Sequence, residues 1–455
     1  MLTGFLADPP RRETRPLVSM LSKPLVYGAF IPTVSILNAL MGMLLPKLMT
    51  PQIFGEYALV VTLFQYGLIF DVGVGQLIDR WIPAALGRRQ SEDADRLGQH
   101  LLWLRLYIGV VVFFATAVTL AILADLNRLP FSFGLGLLSA TAGILNMIAL
   151  GPSFIYRASS ARRNYALTTG IPFLGLFLAR PLGLIGGGLT GCFLALAVWY
   201  LAFAVLFYWL RPLRLSNRPS MAQSTSFVIQ GLPFFATSFV WAFYMTANRW
   251  FAINLIEPGA FGHFAFSTNI YSLLVGFAGI LSAFYYPRIV GRIASGARFA
   301  VSRTLMTDFS KLTIGAGGVC GLGIVLAAPL LGWIYPQYHQ SVVTMRILLA
   351  AVPAMALVSW LMPVSLSSGR RPWVDGLLVY PLATAILYLA IHALSPVFGI
   401  SGIAEASTIS ALPLTAMQLA QLRHAHVVTT SAATAIFCVA SLVTLGLHGL
   451  NWIVP

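Results

Sequence analysis

The chain has 455 residues, of which 58% are hydrophobic and only 9% charged, and it carries a net charge of +15. A soluble domain has about a quarter of its residues charged to cover an aqueous surface, so a water-soluble globule is excluded and the solvent for most of this chain is lipid. The positive charge does not mark a nucleic-acid binder, because the arginines stand in small clusters between long apolar runs, with no basic groove interleaved with aromatics.

The N-terminal segment, 1–24, carries Arg11 and Arg12 ahead of the first apolar run. No small-residue cleavage site follows that run, which therefore reads as a retained span and not as a secretory leader. Crossing the hydrocarbon takes about 20 apolar residues. Runs of that scale lie at 25–45, 57–79, 100–124, 131–151, 165–185 and 188–210. A second set lies at 227–248, 263–286, 305–331, 343–366, 374–395 and 398–420, with a thirteenth run at 432–453. The region 165–210 is the least regular, interrupted by Arg180, Pro181 and three glycines at 186–188. Cys192, Cys320 and Cys438 sit inside apolar runs and offer neither a disulfide framework nor metal spacing.

Lysine and arginine counts in short loops set orientation. The connections on the N-terminal side hold 21 such residues, among them Arg88, Arg89, Arg162, Arg163, Arg370 and Arg371; the other side holds 3, Lys47, Arg128 and Arg249. The alternation holds at every loop, which predicts a cytoplasmic N-terminus and an external C-terminus.

The chain also repeats itself. TPQIFGEYA at 50–58 returns as EPGAFGHFA at 257–265, RLYIG at 105–109 as KLTIG at 311–315, and SSARRNY at 159–165 as SSGRRPW at 367–373. The offsets are 207, 206 and 208. Three echoes in order at one spacing predict two homologous six-helix halves, entering the membrane from the same face. The domain reading is a cytoplasmic segment at 1–24, an N-lobe of helices 1–6 at 25–210, and a cytoplasmic linker at 211–226. A C-lobe of helices 7–12 follows at 227–420, then a cytoplasmic loop and an appended helix at 421–455. In the first echo, Gly55 and Gly262 read as turn glycines free to take positive φ.

PQIFGEYA after the first span, followed by FDVGVGQLIDRWIPAAL at 70–86, resembles the polysaccharide flippases of the MATE-like exporter superfamily, the Wzx-type transporters of O-antigen and related repeat units. ANRWFAINLIEPGAFGHFAF in the second half resembles the stretch where that family often carries Asp-Arg before its Gly-Tyr turn; here the pair is Asn248-Arg249. The resemblance spans helices 1–12, and the thirteenth span departs from the usual even count. It implies an all-α polytopic membrane protein with 12–13 transmembrane helices, its two pseudo-symmetric lobes enclosing a central cavity. It further implies a bacterial cytoplasmic-membrane transporter that turns undecaprenyl-diphosphate-linked oligosaccharides from the inner to the outer leaflet. Its expected partners are that lipid-linked cargo, membrane lipids, and a polysaccharide polymerase or other assembly proteins. No cofactor is implied beyond a coupling H+ or Na+. The job suits the physics: charged phosphates do not cross hydrocarbon unaided, so a carrier offers the headgroup a wet, cationic lumen.

Charges inside spans are costly and point to function. Arg105 and Lys311 hold matching positions in the third and ninth runs. Either they receive the diphosphate at the cytoplasmic mouth, or they snorkel to the interface. Arg180, deep in its run and directly before Pro181, reads as a lumen cation, with a structural ion partner as the other reading. Arg249 and Arg346, near the outer ends of their helices, either line the cavity or anchor at the interface. Asp71, within FDVGVGQ, and Glu405 are the candidate coupling-ion sites; Asp71 could instead pair with an arginine, and Gly73 and Gly75 also suit plain close packing. Asn38, Gln65, Asn146 and Trp241 are candidate glycan contacts. A MATE-like drug or cation antiporter is the alternative, but it calls for protonatable acids in the cavity where this chain supplies cations. A membrane glycosyltransferase or polymerase calls for a long external loop bearing catalytic acids, and every external connection here is short. No phosphate-cradling loop of an ATPase is present.

Overall fold

A computed structural model describes residues 24–87, 90–159, 161–210, 218–294, 298–368, 372–424 and 426–453. Every regular element among them is helical. In chain order these are α1 (Pro24–Leu44), α2 (Pro51–Ile69), α3 (Val74–Gly87), α4 (Ser91–Asp125), α5 (Phe133–Ala149), α6 (Gly151–Ala158), α7 (Arg162–Phe177) and α8 (Ala179–Val205). They continue with α9 (Met221–Ala252), α10 (Pro258–Ala294), α11 (Arg298–Ile334), α12 (Val342–Ser368), α13 (Pro372–His424) and α14 (Thr430–Ile453).

Ten stretches of these helices are long and apolar enough to cross a membrane. Two of them, 163–208 and 376–424, run to 46 and 49 residues, twice a bilayer's need. Each is folded double. In a straight helix, residues eight apart are separated by about 12 Å. Yet a Cβ on Gly183 would collide with the Gly191 carbonyl, and one on Gly402 with the Leu394 carbonyl. The reversals occur at Gly188 (φ +60°) and Gly399 (φ +57°), where only glycine sits without strain. Each doubled stretch therefore supplies two crossings, and the 37-residue α10 carries the remaining apolar run. The chain is a multi-pass membrane protein. Lipid-facing surface is visible as an exposed stripe on α4, where Tyr107, Val110, Val111, Phe114, Val118 and Ile122 recur at helical spacing.

The second apolar run is not continuous. It breaks after Ile69, and Asp71, Val72 and Gly73 form the corner between α2 and α3.

The chain divides into two compact units. The first comprises Met1–Leu45 and Val60–Phe239, and the second Pro46–Leu59 and Val240–Pro455. The divisions fall in the 3-10 turn Leu45–Leu48, inside α2 and inside α9; of the expected linker at 211–226, residues 211–217 lie outside the described residues and α9 begins at Met221. In the first, α3 and α4 bury Leu77, Ile78, Leu101 and Leu102 against Ile155 of α6, with Phe227 and Val228 of α9 packed alongside. In the second, α12 is the central helix, with Leu348, Ala351, Met355 and Leu357 enclosed on all sides. Ala432, Ile436 and Ala440 of α14 join that core beside Phe309, Trp360 and Leu422. The thirteenth span thus packs into the core of the second unit.

The FG echoes also depart from expectation. Gly55 and Gly262 are helical, and neither has a positive φ. They let α2 and α10 meet backbone to backbone within the second unit: a Cβ on Gly55 would stand 3.3 Å from Gly262 Cα, and one on Gly262 would collide with the Pro51 carbonyl. Tyr338 Oη and Gln337 Nε2, from the 3-10 turn Pro336–Ser341, donate to the Met49 carbonyl at 3.1 and 3.0 Å and hold the same corner. The repeated motif is a helix-contact surface, not a turn.

Candidate functional site

The first unit concentrates charge around the α2–α3 corner. Asp71 follows the last turn of α2, and its carboxylate caps the start of α3, accepting from Gly73 N at 3.0 Å and Gly75 N at 2.9 Å. These are helix N-terminal donors with no intrahelical partner, and they suit an anion. Glycine is required here because a Cβ on Gly75 would stand 2.7 Å from the Phe154 ring and 3.0 Å from the Asp71 carboxylate.

Arg105 of α4 approaches the same carboxylate, its Nη2 lying 3.4 Å from Oδ2. The guanidinium carbon lies 4.6 Å from the centre of the Phe154 ring. Nε and Nη1 of Arg105 have no hydrogen-bond partner. A second ion pair stands next to the first: Arg157 of α6 grips Asp79 of α3 with both Nε, at 3.1 Å, and Nη2, and its guanidinium carbon lies 4.8 Å from the same ring. Phe154 therefore contacts two guanidiniums, one buried and one half exposed. Asp71, read from the sequence as an ion site or the partner of an arginine, forms an ion pair with Arg105. Phe154, Asp79 and Arg157 belong to the cluster and carried no local signal that would single them out.

The other predicted residues are dispersed. Arg180 is buried in the first turn of α8, within electrostatic reach of Cys192 and Tyr200. Asn38 Nδ2 donates to the Phe173 carbonyl at 3.0 Å, tying α1 to α7. Asn146 is buried in α5 with its Oδ1 unpartnered, and Gln65 is exposed on α2.

In the second unit, Arg249 Nη2 lies 3.5 Å from Ser272 Oγ, and Arg346 Nε donates to the Ile324 carbonyl at 3.1 Å. Lys311 is exposed on α11. Arg105 thus stands in an ion pair with the carboxylate of the adjoining α2–α3 corner, whereas no ion pair joins Lys311 to an acid among the described residues.

Glu405 of α13 pairs with His448 of α14, Oε2 to Nδ1 at 3.6 Å. Asn248 Nδ2 donates to Ser407 Oγ at 3.4 Å, and Tyr244 Oη shares a 3.1 Å hydrogen bond with Ser410 Oγ. These contacts make a polar seam between α9 and α13. Trp241 lies at one end, its ring 5.2 Å from that of Tyr380.

Among the described residues, the charged side chains that are fully buried are Arg105 (1% exposed), Arg249 (4%), Arg346 (6%), Arg180 (9%) and a single carboxylate, Asp71 (7%). The buried charge is cationic.

No protein-family model and no curated protein matches the sequence. Solved structures match its fold. The lipid II flippase MurJ in an inward closed conformation superposes with a TM-score of 0.62 at 13% identity, covering 94% of this chain and 99% of that one. A multidrug resistance MATE family transporter of the MOP superfamily, inward facing, gives 0.59 at 15% identity over 94% and 99%. The MATE transporter VcmN of Vibrio cholerae in its bent form gives 0.56 at 12% identity over 93% and 99%. The chain has the MATE-like fold over nearly its whole length.

Proposed function

We propose that the chain is a flippase for undecaprenyl-diphosphate-linked oligosaccharides, moving repeat units of a cell-surface polysaccharide across the bacterial cytoplasmic membrane. The observation that carries this reading is the inventory of buried charge: among the described residues, four buried arginines stand against one buried aspartate in a chain of apolar helices. A charge inside a membrane span is costly and points to function, and a diphosphate headgroup is an anion that such cations suit. The cargo's polyprenyl tail stays in lipid; Arg105 and Arg180 of the first unit, and Arg249 and Arg346 of the second, are the candidates to meet the headgroup. Asn38, Asn146, Gln65 and Trp241 remain candidates for the sugar.

The fold supports a transporter of this kind, since one solved neighbour is named a lipid II flippase. Other neighbours are named MATE transporters, which keeps a drug or cation antiporter as the second reading. The acids weigh against it: Asp71 is paired with Arg105 and Glu405 with His448, so neither stands bare for a cationic drug. Under the flippase reading the arginine-rich loops and the N-terminus face the cytoplasm, coupling uses H+ or Na+, and a polymerase takes the product.

Deleting the gene tests it. Surface polysaccharide is expected to fall and lipid-linked repeat units to accumulate facing the cytoplasm, with an Arg180→Ala copy restoring less than a tenth of wild-type flux (roughly the 1.4 kcal/mol of one charge-assisted contact). Unchanged polysaccharide ends the reading. Export of cationic dyes by the Arg180→Ala protein hands the assignment to the antiporter.

A further inference from the structure

We propose that Arg105, Arg157 and Phe154 form a binding site for a phosphate-class anion, which the chain's own carboxylates Asp71 and Asp79 occupy in this state. The inference rests on the flippase reading for the source of the anion, and on four observations of this cluster for its existence.

The first is an imbalance within the inner pair. Asp71 is already satisfied by the Gly73 and Gly75 amides, and Arg105 gives it one atom at 3.4 Å, beyond a charge-assisted hydrogen bond. Arg105 receives little in return. Its Nε and Nη1 are sealed from solvent with no acceptor, in a residue 1% exposed. Buried donors are almost always satisfied, and the exceptions call for a reason. An anion that enters and accepts from this edge of the guanidinium supplies one.

The second is the contrast with the outer pair. Arg157 spends its fork on Asp79, and both side chains are between a third and a half exposed, at 44% and 36%. Among the described residues no backbone capping bond fixes Asp79 as two fix Asp71, so rotating it into water frees an arginine fork at little cost. The third is the shared ring, with both guanidinium carbons within 5 Å of the Phe154 centroid. Phe154 is itself held against Gly75, where no side chain fits. The fourth is chemical type: planar forks bind phosphate oxygens bidentately, and two forks on one rigid aromatic ring suit a diphosphate better than a single carboxylate. Asp79 is the gate, Arg157 the outer contact and Arg105 the inner one.

The test uses the full chain in phosphatidylcholine nanodiscs with two probes, inorganic pyrophosphate in solution and undecaprenyl diphosphate in the bilayer. Asp79→Asn is expected to bind at least one probe about tenfold more tightly than wild type, since the competing charge is gone. Arg157→Gln, and Asp79→Asn combined with Arg105→Lys, are expected to lose about tenfold or more relative to their parents. Arg105→Lys keeps the charge beside Asp71, and a melting temperature near wild type shows that the fold is kept. A response to pyrophosphate assigns a site for any small diphosphate; a response to the lipid alone assigns the headgroup; either supports the proposal. No gain for Asp79→Asn, or wild-type binding by Arg105→Lys, overturns it. A protein that flips lipid-linked oligosaccharide normally while failing these tests leaves the flippase reading standing and removes only this site.

Discussion

Val72 holds a φ of +50°, a region that β-branched side chains almost never enter, and Gly73 follows at +75°. The corner persists because its surroundings over-determine it. Asp71 ties the amides on either side of Val74, and the Gly73 backbone lies flush on Gly231 of α9, so that a Cβ on either glycine collides with the other chain segment. Gly73→Ala carries both a left-handed penalty of about 1–2 kcal/mol and the collision. We expect it to lower stability by at least about 2 kcal/mol, read as a drop in melting temperature in detergent, and Gly231→Ala to fall nearly as far. The double variant should cost less than the sum, because both report one contact; strict additivity would show that the backbones do not touch in solution. FDVGVGQ could be singled out in the sequence because an acid among glycines inside an apolar run is rare. Its partner could not: Arg105 lies on a later helix, and nothing local distinguishes a paired arginine from a snorkelling one.

At the level of elements, the apolar runs were legible because lipid leaves a helix little choice of composition, and they fall mainly on helices, the second being broken at the α2–α3 corner. What composition does not reveal is how helices meet. The FG echoes read as turns, since Pro and Gly serve turns and helix crossings alike. The two reversals share a G-x-x-G, Gly188 to Gly191 and Gly399 to Gly402, which is a further echo between the halves that went unread. The α2–α10 contact makes a sharp prediction. Gly262→Ala forces a methyl into the Pro51 carbonyl, whereas Gly259→Ala, one turn earlier on the same helix, meets only Gln52 Nε2 at 3.5 Å. We expect Gly262→Ala to cost about 1–3 kcal/mol and Gly259→Ala to be neutral or stabilising by up to about 1 kcal/mol, since alanine is the better helix former. Thermal melts of the two proteins side by side decide it. Equal losses would mean that the helices are separated there.

On the scale of the whole chain, twelve helices were explicable as a doubled half, which is why the thirteenth departs from the expected even count. The second unit shows what it does. Val443 and Leu447 of α14 sit over Gly317 and Gly321 of α11, a small-residue pair four apart on one helix face. Asn451 Nδ2 donates to the Arg346 carbonyl at 3.3 Å, and His448 meets Glu405. In a bilayer, tails are as apolar as leucine, so a helix stays docked through close packing and polar contacts and not through escape from water. Helix α14 has both, on α11, α12 and α13. Ending the chain at Thr429 should therefore strip one wall from the core holding Phe309 and Trp360 and leave Glu405 without its partner inside an apolar helix. The expected result is loss of a monodisperse peak on size exclusion. Gly317→Leu, which keeps every residue of α14 but fills its seat, should weaken the protein in the same direction. If the shortened chain stays monodisperse and melts at the wild-type temperature, α14 is an accessory after all, and the pairing of Glu405 with His448 has no structural work to do.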